Sequence, residues 1–296
     1  MLGVVNLDKP VGPTSHDMVG LLRRLTGTRR IGHAGTLDPL ASGVLPILVG
    51  AATRFSQELT GGRKRYEAVI RLGQRSATDD AEGPLEAVSS AMPGEATVSE
   101  ALATFVGTFE QRPPLFSARK QGGRIAHRAA RAGTPIEVPA RTVTVEAIDL
   151  LGVEEVEGLL DVRIDLRCGP GTYVRSIARD LGERLGTGGH LRALRRTEAS
   201  GLRVEDAVTP DRLEALAADG RLAEAVLAVG DLLPLPRVRL AEDGSWRFVH
   251  GVEQAVSTDA AGRVAVFAAS GALLGIGLVS MGILRPDRVL PVETAE

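Results

Sequence analysis

A strict alternation of charged and apolar side chains over residues 161 to 168 constrains the fold of this 296-residue chain more than any other feature. Such a period of two predicts a β-strand with one buried face. The predicted inward face carries Val162, Ile164, Leu166 and Cys168, and the outward face carries Asp161, Arg163, Asp165 and Arg167. Gly169-Pro170-Gly171 ends the strand, and apolar residues at helical spacing from 174 to 185 predict a helix that stops at Gly186. The chain therefore combines strands and helices.

Other segments extend this mixed pattern. Residues 14 to 26 predict an early helix, and residues 66 to 72 predict a strand because apolar side chains recur at every second position. Thr209-Pro210 is a favourable start for another helix, since threonine caps a helix and proline fits its first turn. Beyond Pro234-Leu235-Pro236, which is typical of a linker, short apolar strands and glycine turns indicate a small β-barrel. The sequence thus predicts an α+β protein with a small C-terminal β unit.

The cysteine and histidine content excludes several classes of site. The one cysteine, Cys168, rules out an intrachain disulfide and a cysteine-rich zinc site. The five histidines are scattered without metal-ligand spacing, and residues 79 to 83 lack the ligand spacing of a calcium loop. We therefore expect no metal and no cofactor. The single cysteine, together with an N-terminal segment that does not form a signal peptide, predicts a cytoplasmic protein.

One uncharged segment, residues 264 to 284, has the length of a membrane-spanning helix. Four glycines interrupt it, and Ser270-Gly271 is typical of a tight turn between two apolar strands. We therefore predict that this segment forms a buried β-hairpin and that the protein does not associate with a membrane.

Charge is unevenly distributed along a chain whose formal net charge is −2. The segment from 111 to 136 carries basic residues and no acid: Arg112, Arg119, Lys120, Arg124, Arg128 and Arg131. Smaller basic clusters are Arg23-Arg24, Arg29-Arg30, Arg63-Lys64-Arg65 and Arg195-Arg196. Segregated charge can concentrate a polyanion on one face of a protein with little net charge. The competing interpretation of each cluster is an ordinary solvated face, so the pattern alone leaves RNA binding open.

Asp38 is the only acid between Asp17 and Glu58, and it lies within the small and apolar stretch GHAGTLDPLASGVLPILVG, residues 32 to 50. Pro39 disfavours a helical conformation at Asp38, which predicts a loop. One interpretation is an Asx-turn or a helix cap, the usual role of such an aspartate. The other is a carboxylate nucleophile in a partly desolvated pocket, where its pKa would rise unless a cation keeps it ionised. The local pattern alone favours the first interpretation.

The same stretch closely resembles the catalytic motif of the bacterial tRNA pseudouridine-55 synthases. The resemblance continues, in the family's order, through LDKPVGPTS (7 to 15), KRYEAVIRLG (64 to 73), PPLFSARKQGGR (113 to 124) and GPGTYVRSIARDLGERLGTGGHLRALRR (169 to 196). It covers most of residues 1 to 200. The C-terminal segment is similar to the small PUA-type β-barrel that often ends these enzymes. The resemblance favours the catalytic interpretation of Asp38.

The resemblance implies a role for each matching residue. Asp38 falls at the aspartate that attacks the target nucleoside, and Arg175 falls at the arginine that pairs with it. Tyr66 matches the tyrosine that stacks on the flipped uracil and is available for proton removal from C5, and His33 matches the histidine that enters the space left by the extruded nucleotide. The remaining pocket or supporting positions are Tyr173, Leu194 and Lys9. Each of these residues also has an ordinary structural explanation, as a core side chain, a loop residue or part of an ion pair.

The resemblance also implies a fold and a partner. The expected fold is a mixed, largely antiparallel sheet with flanking helices, with a catalytic domain over residues 1–233 and a PUA-like RNA-binding domain over residues 234–296. The expected partner is the T-arm stem-loop of tRNA, and the protein is expected to be a monomer. The residues expected to contact its phosphates are Arg112, Lys120, Arg124, Arg128 and Arg131.

The implied reaction isomerises uridine 55 to pseudouridine after the base is flipped out of the RNA. One carboxylate suffices because the leaving uracil is itself the acceptor, whereas hydrolytic glycosidases usually need a second carboxylate. The sequence leaves open whether Asp38 acts at C1′, at C6 or by aiding elimination. Two alternative functions also stay open: a nucleoside glycosylase and a non-catalytic tRNA-binding or folding protein.

The chain departs from the family's usual pattern at three places. Gly169-Pro170 replaces a usual Ser-Lys pair, and Phe116 and His127 replace usual tyrosines. We expect these changes to alter contacts with the RNA more than the reaction.

Overall fold

The computed structural model describes residues 1–89, 91–115, 120–121, 124–125 and 139–291, with only the backbone described at 120–121 and 124–125. The α-helices in this part of the chain are α1 (Ser15–Thr26), α2 (Ser56–Thr60), α3 (Glu95–Ala103), α4 (Val174–Leu185), α5 (Pro210–Ala218) and α6 (Glu242–Val249). Short 3-10 helices cover Gly50–Phe55, Val204–Asp206, Leu222–Ala225 and Val229–Leu232.

The strands that precede residue 234 belong mainly to one large sheet. They are β1 (Gly3–Lys9), β2 (Ile31–His33), β3 (Ala41–Val49), β4 (Lys64–Leu72), β5 (Gln74–Ser76), β6 (Leu85–Ala87), β7 (Gly107–Gln111), β8 (Lys120–Gln121), β9 (Arg124–Ile125), β10 (Arg141–Val156), β11 (Leu159–Cys168), β12 (Gly189–Ala199) and β13 (Leu202–Arg203). The large sheet has the order β1-β3-β12-β4-β11-β10-β7, with β2 also paired to β3 and β13 to β12. Every pairing in it is antiparallel except β3 with β12. The predicted mixed, largely antiparallel sheet is confirmed.

A second sheet contains the C-terminal strands. They are β14 (Arg237–Leu240), β15 (Gln254–Ala255), β16 (Gly262–Ala268), β17 (Leu273–Ser280) and β18 (Ile283–Val289), in the order β14-β16-β17-β18-β15. The strands β16 and β17 form the hairpin predicted for residues 264 to 284, and the turn between them includes Gly271 at φ +88°. No helix in the described part of the chain is long and apolar enough to span a bilayer.

The helices predicted from sequence begin and end where the capping residues indicate. Thr14 caps α1 through a reciprocal capping box with Asp17. Thr209 caps α5 by accepting a hydrogen bond from the backbone of Arg212. Gly186 ends α4 at φ +69°, a left-handed conformation that favours glycine. The buried face of α4 belongs to the hydrophobic core that includes residues of the large sheet.

The prediction for the outward face of β11 was wrong at two positions. Asp161 is 3% exposed and Asp165 is 5% exposed. Arginines on the neighbouring strands cover these acids: the Arg71 Nε lies 2.7 Å from an Asp161 oxygen, and the Arg65 Nε lies 2.9 Å from an Asp165 oxygen. Period-two alternation identifies the two faces of a strand, but it does not reveal that cross-strand ion pairs bury the polar one.

The two sheets share a hydrophobic core. Phe55 and Leu48, which precede residue 234, belong to the same buried cluster as Phe267 and Ile276 of the C-terminal sheet. At its edge, the buried Glu58 carboxylate contacts arginines of the C-terminal sheet, with 2.7 Å to Arg263 and 3.2 Å to Arg288. The two sheets therefore pack as one body, while the proposed division at residues 233 and 234 stays a prediction.

Candidate active site

Asp38 lies in the irregular loop between β2 and β3, as predicted, and short hydrogen bonds hold the loop on both sides of it. Before it, the buried Ser15 hydroxyl donates to the Leu37 carbonyl over 2.9 Å and accepts from the Leu37 amide over 2.8 Å. After it, the Gly12 amide donates to the Pro39 carbonyl over 2.8 Å. The carboxylate is thus presented from a fixed backbone, a requirement for precise positioning of a reacting group.

Lys9 holds the turn that carries Gly12. Its ammonium is fully buried and donates to the carbonyls of Pro10 and Pro13 at 2.8 and 2.7 Å. Burial lowers the pKa of Lys9 to about 8, although the nearby Asp38 carboxylate favours its charged form. This geometry is what we expect of a lysine that supports the catalytic loop.

The Arg175 side chain lies between two carboxylates. Its Nε is 3.0 Å from an oxygen of Asp38, and its Nη1 is 3.2 Å from an oxygen of Asp80. The Arg175 side chain is 7% exposed and that of Asp80 is 4% exposed, whereas that of Asp38 is 35% exposed. The buried Asp80 carboxylate therefore holds one edge of the Arg175 guanidinium, and the other edge faces the more accessible Asp38 carboxylate. Among the described residues, no group of His, Cys, Asp and Glu is arranged to hold a metal ion.

Asp80 uses both of its oxygens within the protein. One accepts from Arg175, and the other accepts from the Thr78 hydroxyl and from the Glu82 amide, the latter over 3.1 Å. With no oxygen left for a substrate, Asp80 positions Arg175 and is not placed to exchange a proton with a nucleoside. Sequence reasoning missed this role because it considered residues 79 to 83 only as a calcium loop.

Burial and nearby charges shift the pKa of the Asp38 carboxyl in opposite directions. Burial raises the pKa of the Asp38 carboxyl, and the Arg175 guanidinium opposes this shift most strongly. Asp80 raises the pKa further, and Lys9 lowers it. The cation that a desolvated carboxylate needs is present at 3.0 Å.

Tyr66 and Leu194 lie on the two strands next to the catalytic loop. Tyr66 is on β4 and 7% exposed, and Leu194 on β12 is 9% exposed. Leu194 pairs with Ala41, the residue that begins β3 directly after the loop. Burial raises the pKa of the Tyr66 phenol, Arg196 opposes the shift, and Asp38 is near enough to increase it. Tyr66 therefore lies close enough to Asp38 for their charges to interact.

His33 is the last residue of β2, immediately before the catalytic loop. Its side chain is half-buried, and Nδ1 has no hydrogen-bond partner among the described residues. Burial lowers the pKa of His33, and the positive charge of Arg196 acts in the same direction. A neutral imidazole with a free ring nitrogen therefore borders the loop.

Tyr173 precedes α4, and a buried glutamine holds its backbone. The Gln111 amide accepts from the Tyr173 N–H over 2.8 Å and donates to its carbonyl over 3.0 Å. The Arg141 guanidinium lies 5.5 Å from the centre of the Tyr173 ring. Gln111 thus fixes the entrance to the helix that carries Arg175, a role that sequence reasoning did not identify.

The basic residues divide into exposed and buried groups. Arg112 is exposed, and so are the clusters Arg23-Arg24 and Arg29-Arg30. Lys64 and Arg196 are 7% and 1% exposed, so the expectation that their clusters could face a polyanion fails at these two residues. Of the other positions expected to contact RNA, Lys120 and Arg124 lie on β8 and β9, where only the backbone is described. Arg119, Arg128 and Arg131 lie outside the described residues.

Comparison with known proteins adds independent evidence on the origin of this arrangement. Residues 23–174 match the family described as TruB family pseudouridylate synthase (N terminal domain). Residues 175–234 match the tRNA pseudouridylate synthase B C-terminal domain, and residues 236–290 match the Pseudouridine synthase II TruB C-terminal family. Together these matches extend over both sheets.

Curated relatives match nearly the whole chain. The tRNA pseudouridine synthase B of Burkholderia mallei (strain NCTC 10247) is 44% identical over 97% of this chain and 96% of its own length. The protein of the same name from Ralstonia nicotianae (strain ATCC BAA-1114 / GMI1000) is 43% identical over 97% of this chain and 94% of its own.

Solved structures show the same fold. A structure of an H/ACA RNP bound to a substrate RNA containing 2′-deoxyuridine aligns with a TM-score of 0.75 and 25% identity, over 99% of this chain and 86% of that chain. A Cbf5-Nop10-Gar1 complex aligns with a TM-score of 0.74 and 29% identity, over 97% of this chain and 84% of that chain.

Replacement of Arg175 by methionine should destabilise the protein, because it leaves the buried Asp80 carboxylate without its cation. Loss of one partner of a buried ion pair costs about 3 kcal/mol or more in the free energy of unfolding. The further change Asp80→Asn should recover most of that loss, since the amide oxygen can still accept from Thr78 and Glu82. Denaturant unfolding of the wild type, Arg175→Met and the double variant measures these differences. A double variant no more stable than Arg175→Met would show that the Asp80 contact is not what stabilises Arg175.

Proposed function

This chain belongs to the TruB family of pseudouridylate synthases, and from that premise we propose that it isomerises a uridine of tRNA to pseudouridine. We propose further that the target is uridine 55 in the T-loop. The observation that carries the proposal is the accessible Asp38 carboxylate, held 3.0 Å from an arginine that a second, buried carboxylate keeps in place.

The buried acid beside Arg175 is not available as a second carboxylate for hydrolysis. Glycosidases that transfer a sugar to water usually use two carboxylates, one of which exchanges a proton. Here Asp80 has both oxygens occupied, so among the acids that contact Arg175 only Asp38 can reach a substrate. In an isomerisation the N1–C1′ bond breaks, the uracil turns and a C5–C1′ bond forms, while C5 loses a proton and N1 gains one. No second carboxylate is needed to activate water.

Two neighbours of Asp38 suit a flipped base. Flipping costs a few kcal/mol, and stacking a base on an aromatic ring returns about 1–3 kcal/mol. We propose that Tyr66 supplies this stacking surface and takes part in removal of the C5 proton, and that His33 fills the gap in the RNA. The lowered pKa of His33 supports insertion as a neutral side chain, without the cost of burying a charge.

We propose that the basic segment from Arg112 to Arg131 binds the phosphates of the T-arm. Its lack of acids and the exposure of Arg112 support this proposal. The exposed Arg29-Arg30 pair directly precedes β2 and His33, so it offers a second positive surface near the catalytic loop. We also propose that the protein acts in the cytoplasm as a monomer, with a catalytic unit over residues 1–233 and the PUA-like unit over residues 234–296.

Tritium release from tRNA labelled with [5-³H]uridine tests the proposed reaction. A synthase releases the C5 tritium without freeing uracil, whereas a glycosylase frees uracil and a binding protein does neither. We expect tritium release, and we expect it to disappear when the target uridine of the T-loop is replaced by cytidine. Free uracil, or no release of tritium, would contradict the proposal.

Asp38→Asn should reduce kcat by more than about 1,000-fold, because the neutral amide keeps the shape of the side chain but cannot act as a nucleophile or base. The Kd for tRNA should stay close to that of the wild type, since positioning by phosphate contacts does not involve this carboxylate. Single-turnover tritium release and filter binding measure the two quantities. Comparable kcat values in variant and wild type would remove Asp38 from the mechanism.

Replacing Arg124 and Arg128 together with glutamine should weaken tRNA binding and flatten its salt dependence. Each lost phosphate contact reduces the slope of log Kd against log salt by roughly 0.7 to 0.9. The matched control is Arg212→Gln with Arg221→Gln, which removes the same charge from the region of α5. A series of Kd values against salt concentration tests the prediction, and a slope equal to that of the control would show that the segment is only a solvated face.

A further inference from the structure

Arg196 is the most unusual charged residue of the structure, because it is 1% exposed and lies in the centre of the large sheet. The carbonyls that accept its hydrogen bonds are neutral, and no carboxylate of the described residues lies within ion-pair distance of it. Burial of a cation without an anion is costly, so a stable fold alone would favour an apolar side chain at this position. A functional role of the charged side chain would account for this energetic cost.

The hydrogen-bond partners of Arg196 lie in the catalytic loop and on β3, the strand that follows it. Its Nη2 donates to the carbonyl of Gly35 over 3.1 Å, three residues before Asp38, and its Nε donates to the carbonyl of Val44 over 2.7 Å. One rigid group therefore contacts the chain on both sides of Asp38.

The strand register makes this arrangement possible. Arg196 lies directly opposite Tyr66 in the antiparallel pair of β12 and β4, and directly opposite Gly43 in the parallel pair of β12 and β3. At Gly43, where φ is +101°, a Cβ atom would lie 2.2 Å from the carbonyl oxygen of Arg196. The close approach of β3 to Arg196 thus requires glycine at this position.

We propose that Arg196 is a positioning residue that binds the catalytic loop from the strand position opposite Tyr66, and so sets the distance between Asp38 and Tyr66. This inference deepens the proposed function and rests on it.

The charges around Tyr66 agree with such a role. Besides Arg196, the titratable groups that act on the phenol are Cys168 and Asp38, and both raise its pKa together with burial. Arg196 alone opposes them, so it favours a phenol that can release its proton. The geometry of the hydrogen bonds and the sign of the charge point in the same direction.

Arg196→Lys tests the proposal, because lysine keeps the positive charge but has no fork with which to bind the carbonyls of Gly35 and Val44 together. We expect an unchanged Kd for tRNA and a kcat at saturating tRNA about 100-fold lower, since a small misplacement of reacting groups has an effect of that size. The matched control is Arg71→Lys, which changes an arginine on β4 that pairs with Asp161 and should leave kcat unchanged. Arg196→Met is the second variant, which also removes the charge.

The ionisation of Tyr66 is a readout that a purely structural role would not move. The chain has only two tyrosines, so protein labelled with fluorotyrosine gives two ¹⁹F resonances, and Tyr173→Phe assigns the one from Tyr66. In Arg196→Met we expect the midpoint of the Tyr66 titration to move upward, because the phenolate loses the cation that favours it.

A folded Arg196→Lys variant with the kcat of the wild type, or a folded Arg196→Met variant with an unchanged Tyr66 midpoint, would overturn the inference. The two proposals fail in different ways. Wild-type protein that releases no tritium refutes the proposed function, whereas the ¹⁹F titration needs no RNA and tests the link between Arg196 and Tyr66 by itself.

Discussion

The contact of Arg175 with two carboxylates determines what this site can do. Asp80 fixes one edge of the guanidinium in the protein interior, and the other edge faces Asp38. Burial raises the pKa of Asp38 and so favours its neutral, unreactive form, and the arginine is the group that most limits this rise. Because Asp80 is fully engaged, the same contact also excludes it as a second acid for hydrolysis.

The rest of the fold keeps this contact in register. Arg175 lies on α4, which Gln111 holds at its entrance, while Asp38 lies on a loop held by Ser15 and by the turn around Lys9. The parallel pairing of β3 with β12 brings the end of that loop against the strand that carries Leu194 and Arg196. The large sheet is thus the frame on which separate stretches of sequence meet.

Much of the fold could be predicted from local patterns. The alternation over 161 to 168, the caps at Thr14 and Thr209 and the glycine at 186 each depend on neighbours within a few residues, and each prediction of an element was confirmed. For the site, the resemblance to a known family supplied Asp38, Arg175 and Tyr66, because these residue types stand within recognisable motifs. The family and its reaction followed from the same motifs.

The residues that sequence reasoning missed share one property, namely a role that depends on a distant partner. The role of Asp80 depends on its contact with Arg175, which lies 95 positions away in the sequence. Asp161 was expected to face solvent because it alternates with apolar residues, and Arg196 because it belongs to the Arg195-Arg196 cluster, yet cross-strand partners bury both. Local periodicity carries no information on such pairings, so only the assembled sheet reveals them.

The central claim, that Arg175 keeps Asp38 ionised, can be tested most directly by the ionisation of that carboxyl group. Protein labelled with ¹³C at the aspartate carboxyl carbons can be titrated by NMR, with the Asp38 signal assigned by its loss in Asp38→Asn. We predict that Asp38 is ionised at neutral pH in the wild type and titrates at a higher pH in the double variant Arg175→Met with Asp80→Asn. An Asp38 titration that is the same in both proteins would contradict the account.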